Sequence, residues 1–253
     1  AGKTAFASIN LIMPFIIIIG SLGFMVGTGG TALVSRILGE GDEKKANKYF
    51  SMLIYLTIIM GIVLSVIGVV FMRPVSILLG ATDAMIEDCV LYGRIVISFT
   101  AAYMLQNVFQ SFLVAAEKPN LGLIATLAAG FTNMILDAVF VGVFRWGITG
   151  AALATGISQC IGGLLPLIYF IRPNNSKLRL TKASFELRPI LQACANGSSE
   201  LMSNVSASVV GIVYNFQLLK YLGENGVSAY GVLMYVQFIF VAIFFGYAIG
   251  CAP

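Results

Sequence analysis

LGLIATLAAGFTNMILDAVFVGVFRWGITGAALATGISQCIGGLLPLIYFI, residues 121–171, carries only two charged side chains, Asp137 and Arg145. Two apolar runs, Leu121–Phe144 and Ile148–Ile171, flank the tripeptide Arg145-Trp146-Gly147. As a helix, each is long enough to cross a hydrocarbon core, which takes about 20 apolar residues. Neither alternates with period two, as the strands of a membrane barrel do. So short a joint makes the two helices antiparallel neighbours. It also puts Trp146 at headgroup level, where membrane tryptophans concentrate.

Working outward, five more runs have the same character: Phe6–Val34, Phe50–Phe71, Ile95–Ala116, Pro189–Leu219 and Val227–Cys251. The expected fold is all-α, a polytopic transmembrane helix bundle of about seven spans in a plasma membrane of the bacterial inner-membrane type. Composition agrees. Of 253 residues 58% are hydrophobic and 10% charged, and mean hydropathy is +0.94. A soluble chain is nearer half apolar and a quarter charged, so the lipid bilayer must be part of the solvent. Histidine is absent, which removes the usual general base and the commonest metal ligand. Cys89, Cys160, Cys194 and Cys251 are far apart and form no CxxC; they read as small packing residues.

Charge is confined to the connections. Of fifteen basic residues, ten fall in Arg36–Lys48, Glu117-Lys118-Pro119 and Arg172–Arg188. The other five are Lys3, Arg73, Arg94, Arg145 and Lys220. The positive-inside rule makes the first set cytoplasmic, with Ala1 outside and Pro253 near the cytoplasm. That distribution suits membrane orientation, not nucleic-acid binding. Gly39-Glu40-Gly41-Asp42-Glu43 reads as a helix stop at glycine followed by a new start at Asp42. Met72–Gly93, with Asp83, Glu87 and Asp88, reads as an amphipathic external segment with a solvated role.

Within the spans the polar residues are the informative ones. Thr100, Tyr103, Asn107 and Gln110 recur at helical spacing in the third span, as do Thr126, Gly130, Asn133 and Asp137 in the fourth. Thr155, Ser158, Gln159 and Gly162 do so in the fifth. Ser, Thr and Gly also serve plain close packing of membrane helices. Asp137 is different, because a carboxylate at membrane depth costs on the order of 2.5–3.5 kcal/mol on insertion scales. It must face protein or water, bind a cation or take a proton. Asn133, one turn earlier, offers a carbonyl oxygen, and hydroxyls come from the neighbouring helix. These are hard oxygen ligands suited to Na⁺ or to a proton relay. The sixth span carries Asn196, Ser199, Glu200, Ser203 and Asn204, which reads as a helix lining an aqueous cavity, with Glu200 a second candidate carboxylate.

These residues resemble the multidrug and toxic compound extrusion (MATE) family. Gly30-Thr31-Ala32-Leu33-Val34-Ser35-Arg36 with Leu38-Gly39-Glu40-Gly41-Asp42 is similar to the cytoplasmic end of that family's second helix. Ala116-Glu117-Lys118-Pro119-Asn120 resembles its loop between helices four and five. Asn133-x-x-x-Asp137 and Gly147-Ile148-Thr149-Gly150-Ala151-Ala152-Leu153-Ala154-Thr155 resemble helices five and six. Phe245-Gly246 to Gly250-Cys251-Ala252-Pro253 resembles helix eight. The resemblance implies a partial chain covering about helices two to eight of a twelve-helix, two-lobed transporter. Residues 1–172 would form most of the N-lobe, 173–188 a cytoplasmic inter-lobe linker, and 189–253 the start of the C-lobe. It implies a cation site at Asn133, Asp137 and Thr155, with an aspartate of helix one, which would precede Ala1, as their partner. Glu200 falls where another branch of the family uses a glutamate of helix seven.

The function so implied is secondary active antiport, exporting small organic, often cationic, compounds against Na⁺ or H⁺. No cofactor is expected beyond the coupling ion, and no enzyme activity, since HExxH and GxSxG are absent. The alternative within the superfamily is a flippase for lipid-linked oligosaccharides. Thr100, Tyr103, Asn107, Gln110, Ser158, Gln159 and Asn196 are the expected cavity lining. Single cysteines placed in Arg36–Lys48 or Arg172–Arg188, in a Cys-less background, should resist an impermeant thiol reagent applied to intact cells. Ready labelling there would invert the topology.

Overall fold

The structure, a computed structural model, describes residues 2–251. Ala1, Ala252 and Pro253 lie outside the described residues, and with them the expected sidedness of the two chain ends and the last residues of the tail motif. Seven helices follow in order: α1 Lys3–Gly39, α2 Glu43–Leu78, α3 Ile86–Ser98, α4 Thr100–Ala115, α5 Pro119–Asp137, α6 Gly147–Ile171 and α7 Leu187–Cys251. A π-helical segment, Ala138–Val143, continues α5. There is no strand among the described residues.

Local chemistry explains the breaks. α1 ends at Gly39, and Gly41 takes φ 84°, a left-handed conformation that glycine adopts without strain. Asp42 then caps α2, its Oδ1 accepting from the Lys45 amide at 3.0 Å. Pro119 opens α5, where a missing N–H costs nothing. α3 and α4 meet at a 54° bend beside Phe99, and as a pair they are long and apolar enough for one crossing. The 65-residue α7 would be roughly 100 Å long at the usual rise, about three bilayer cores. Gly223, at φ 64° and ψ −157°, divides it into two arms. Counting the bent pair as one crossing and α7 as two gives seven spans among the described residues.

The external segment is amphipathic, as expected, but less solvated than expected. α2 runs on to Leu78 and α3 begins at Ile86, so Met72–Gly93 is mostly helix. Met72, Met85, Cys89 and Tyr92 are fully or almost fully buried. The acids Glu87 and Asp88 occupy the first turn of α3, where the helix dipole favours them. They sit on one face only, and the opposite face enters the core.

α1 is the centre of the bundle, packing against α4 on one side and α7 on another. Both contacts are made by backbone. A Cβ on Gly23 would lie 2.8 Å from the Met104 Cα. One on Gly29 would lie 1.9 Å from the Ala193 carbonyl oxygen of α7, and one on Gly197 2.0 Å from the Met25 oxygen of α1. Two apolar clusters flank α1 along the membrane normal. One is built on Phe50, Phe109, Phe112 and Phe170, with ring centroids 4.9–5.6 Å apart. The other is built on Leu11, Ile12, Met85 and Tyr92. Apolar side chains such as Val66, Val70, Leu127 and Phe131 face outward, the lipid-facing surface of a membrane protein.

The three basic connections converge on one end. Lys48 pairs with Glu186, and Lys177 pairs with Glu117 at 2.9 Å. Residues 172–186 lie as a strap over α2. The Arg179 amide donates to Asn47 Oδ1 at 2.6 Å, the Thr181 amide to Ser51 Oγ at 2.8 Å, and the Tyr55 hydroxyl to the Thr181 carbonyl at 3.2 Å. At the opposite end Glu224, just past the Gly223 break, accepts from Thr4 Oγ1 at 3.0 Å and Thr82 Oγ1 at 3.1 Å. That carboxylate ties the start of α1, the α2–α3 turn and α7 together.

Gly29→Val or Gly197→Val should destabilise the bundle by about 1–3 kcal/mol, the usual cost of overpacking, read as a lower melting temperature in detergent. Gly39→Ala, at a position with nothing within 4 Å of the added Cβ, should melt with the parent.

Candidate functional site

Asn133 and Asp137 are four residues apart on α5 and share one face. Both are half-buried, with exposed Thr126 and Gly130 continuing the stripe. Asp137 is the last α-helical residue before the π segment. Such departures from regular helix recur at functional sites. Its Oδ1 is buried and accepts no hydrogen bond from any described residue. An unpaired carboxylate oxygen at membrane depth is costly unless a cation or proton meets it.

Tyr92 of α3 is the neighbour that sequence reasoning missed. Its side chain is buried, faces Thr155, and lies within electrostatic range of both Asp137 and Tyr235. The Thr155 hydroxyl donates to the Ala151 carbonyl at 3.0 Å, which leaves its lone pairs free to accept. Tyr92 therefore joins α3 to the Thr155 face of α6, with Asp137 in electrostatic range. No hydrogen bond links Asp137 directly to Asn133 or Thr155 among the described residues. The carboxylate oxygen, the Asn133 amide and the Thr155 hydroxyl are all hard oxygen donors, the chemistry Na⁺ or a proton requires.

The other expected lining residues divide. Tyr103 and Asn107 turn into the α1–α4 interface. The Tyr103 ring fills the space where a Gly20 Cβ would be, and Asn107 Nδ2 reaches the Gly20 carbonyl at 3.5 Å. Thr100 is buried, its hydroxyl donating to the Ile97 carbonyl at 2.7 Å beside the α3–α4 bend. For these three the role seen is packing and closure of the bend, not an open cavity wall. Ser158 is buried and donates to the Thr155 carbonyl at 2.7 Å. Gln159 keeps a buried Oε1 without a partner. Gln110 and Asn196 are exposed. Glu200 is exposed too, accepting from Asn204 Nδ2 at 3.3 Å, and the structure does not bring it to Asp137.

An actual cleft opens between α1 and the two arms of α7, about 340 Å³ in volume. Asn10, Pro14, Asn204, Asn215, Tyr230 and Tyr235 are among its lining, and no charged side chain lines it. Asn215 is only 2% exposed. Its Nδ2 donates to the Asn10 carbonyl at 3.1 Å while its Oδ1 has no partner. The first signal for this cleft in the sequence was Asn204. Asn215 belongs to the same polar span, while Asn10 and Tyr235 gain meaning only once α1 and α7 are packed. No group of three or more His, Cys, Asp or Glu is assembled among the described residues.

The MatE family model matches residues 1–139. Among curated proteins, the chain is similar to "Multidrug export protein MepA" of Staphylococcus haemolyticus (strain JCSC1435), 29% identical over 227 residues, covering 89% of this chain and 50% of that protein. The protein of the same name from Staphylococcus saprophyticus is 26% identical over 230 residues, again 89% of this chain and 50% of the relative. Among solved structures, a multidrug resistance MATE family transporter of the MOP superfamily in an inward-facing conformation superposes with a TM-score of 0.89. Identity there is 20%, over 94% of this chain and 55% of that chain. The chain spans about half the length of the curated relatives it matches.

Asp137→Asn should leave the melting temperature in detergent unchanged or raise it, because it removes an unpaired buried charge and no hydrogen bond. Cutting one partner of a buried ion pair would instead cost about 3–5 kcal/mol. A large loss of stability would mean that Asp137 has a structural partner.

Proposed function

The chain belongs to the MatE family, and from that premise we propose that it forms part of a cation-coupled antiporter exporting organic, often cationic, drugs or metabolites. Na⁺ or H⁺ is the driving ion. Residues 1–172 supply most of the N-lobe, 173–188 the inter-lobe linker, and 189–253 the start of the C-lobe. One observation carries the reading: the buried, unpartnered Oδ1 of Asp137. Charged and empty, that oxygen is unfavourable; met by a proton or Na⁺, with Asn133 and Thr155 as neutral ligands, it is not. Ion occupancy then biases the bundle between two arrangements only as far as the ion binds one better than the other.

Tyr92 lies within electrostatic range of both this carboxylate and Tyr235 of the cleft. The cleft itself suits an organic cation or a neutral aromatic compound. Tyr230 and Tyr235 are among its lining, and aromatic rings attract cations by about 0.5–2 kcal/mol. The uncharged lining gives no purchase to the phosphates of a lipid-linked oligosaccharide, so export of small compounds is favoured over that alternative. Glu200 is the second coupling candidate.

In the complete transporter, Asp137→Asn should abolish or severely cripple gradient-driven dye efflux from vesicles while membrane insertion stays normal. Asn133→Leu and Thr155→Val should weaken it less, each removing a neutral ligand. Undiminished efflux by Asp137→Asn would end the coupling role of this residue and transfer it to Glu200.

A further inference from the structure

We propose that a polar pocket at the basic end of the bundle binds the phosphate headgroup of an anionic phospholipid of the cytoplasmic leaflet. The pocket, about 620 Å³, lies between the last turn of α1, the first turns of α2 and the start of α7. Its charges do not cancel. Arg36 is paired with Glu40 at 3.1 Å, and Glu186 is held by Lys48. Two lining cations remain. Arg188 has no ion pair or hydrogen bond among the described residues. Lys45 rests 5.9 Å from the centre of the Tyr49 ring and makes no ion pair among the described residues, while the pocket's Glu186 is already engaged by Lys48. Two cations with no carboxylate of their own, facing one pocket, match a phosphodiester, which offers one charge shared by two oxygens.

The surroundings point to a lipid and not to a free anion. Leu187 lines the pocket and is 71% exposed. Leu191, one turn further along α7, is exposed on the same face. That apolar stripe leaves the pocket along the helix into the span, where acyl chains would lie. By the basic asymmetry this end is cytoplasmic, the side whose leaflet carries anionic lipid and where basic pockets between helices take up its headgroups. The proposal needs only that sidedness, and nothing in it depends on Asp137.

The complete transporter would be reconstituted in nanodiscs of equal phosphatidylglycerol and phosphatidylcholine, and retained lipid counted by native mass spectrometry after release into detergent. Phosphatidylglycerol should be retained over phosphatidylcholine and should persist in millimolar inorganic phosphate. Lys45→Gln with Arg188→Gln should reduce its retention by roughly 10- to 30-fold, the effect of losing two basic contacts. Lys220→Gln at the opposite end should retain lipid like the parent. Both substituted side chains are exposed, so melting temperatures should match, and the lipid-selectivity arm needs no variant. Equal retention of the two lipids, or full retention by the double variant, would overturn the site. Displacement by inorganic phosphate would overturn the lipid and leave a small-anion pocket.

Discussion

The bundle depends on two backbones meeting without side chains between them. In lipid there is no hydrophobic drive to bring one helix to another, so packing and small residues must supply the association. Gly29 of α1 against Ala193, and Gly197 of α7 against Met25, let the helix backbones come closer than any Cβ would permit. On its other side α1 meets α4 at Gly23 and Met104 in the same way. This close double contact sets where the α1–α7 cleft opens, and it fixes α4. Through the bend beside Phe99, α4 in turn directs α3 and the Tyr92 side chain toward α6.

Much of the fold was legible because the lipid requirement is written in runs of residues. The apolar helices, five long enough to cross a membrane singly and a sixth as the bent α3–α4 pair, the stop at Gly39, the cap at Asp42 and the tight α5–α6 joint are local signals, and each is observed among the described residues. The start of α3 was not legible, because Glu87 and Asp88 suggest solvent while the burial of Cys89 and Tyr92 depends on what packs against them. The same reason accounts for Tyr103 and Asn107. Their spacing marks a polar face, but only the position of Gly20 decides that this face meets α1. The π segment after Asp137 leaves no sequence signal beyond a run of ordinary apolar residues. For the candidate site, Asp137 stood out in the sequence as a carboxylate in an apolar run, whereas a tyrosine in an apolar helix looks like any other core aromatic until its neighbours are known.

Electrostatics are partitioned by depth. At the basic end, the hydrogen bond from Lys48 holds the Glu186 carboxyl below the usual range, and Lys177 does the same to Glu117. These pairs are exposed, so each contributes little on its own. The strap over α2 is held more by its backbone bonds to Asn47 and Ser51 and by the buried Leu178. Near the middle of the bundle the accounting reverses, and a single unpaired oxygen on Asp137 matters more than the whole set of surface pairs.

The two arms of α7 carry a consequence for biogenesis. The run they form is the least apolar of the candidate spans, and it is interrupted at Gly223. A nascent helix leaves the translocon sideways when its own transfer into lipid is favourable, and the more polar first arm has the weakest claim to that. Its partner α1 is made early and is among the most apolar spans. The Gly197 surface thus gives the late, reluctant helix a docking place on one already in the membrane. Partitioning of α7 becomes a property of the pair.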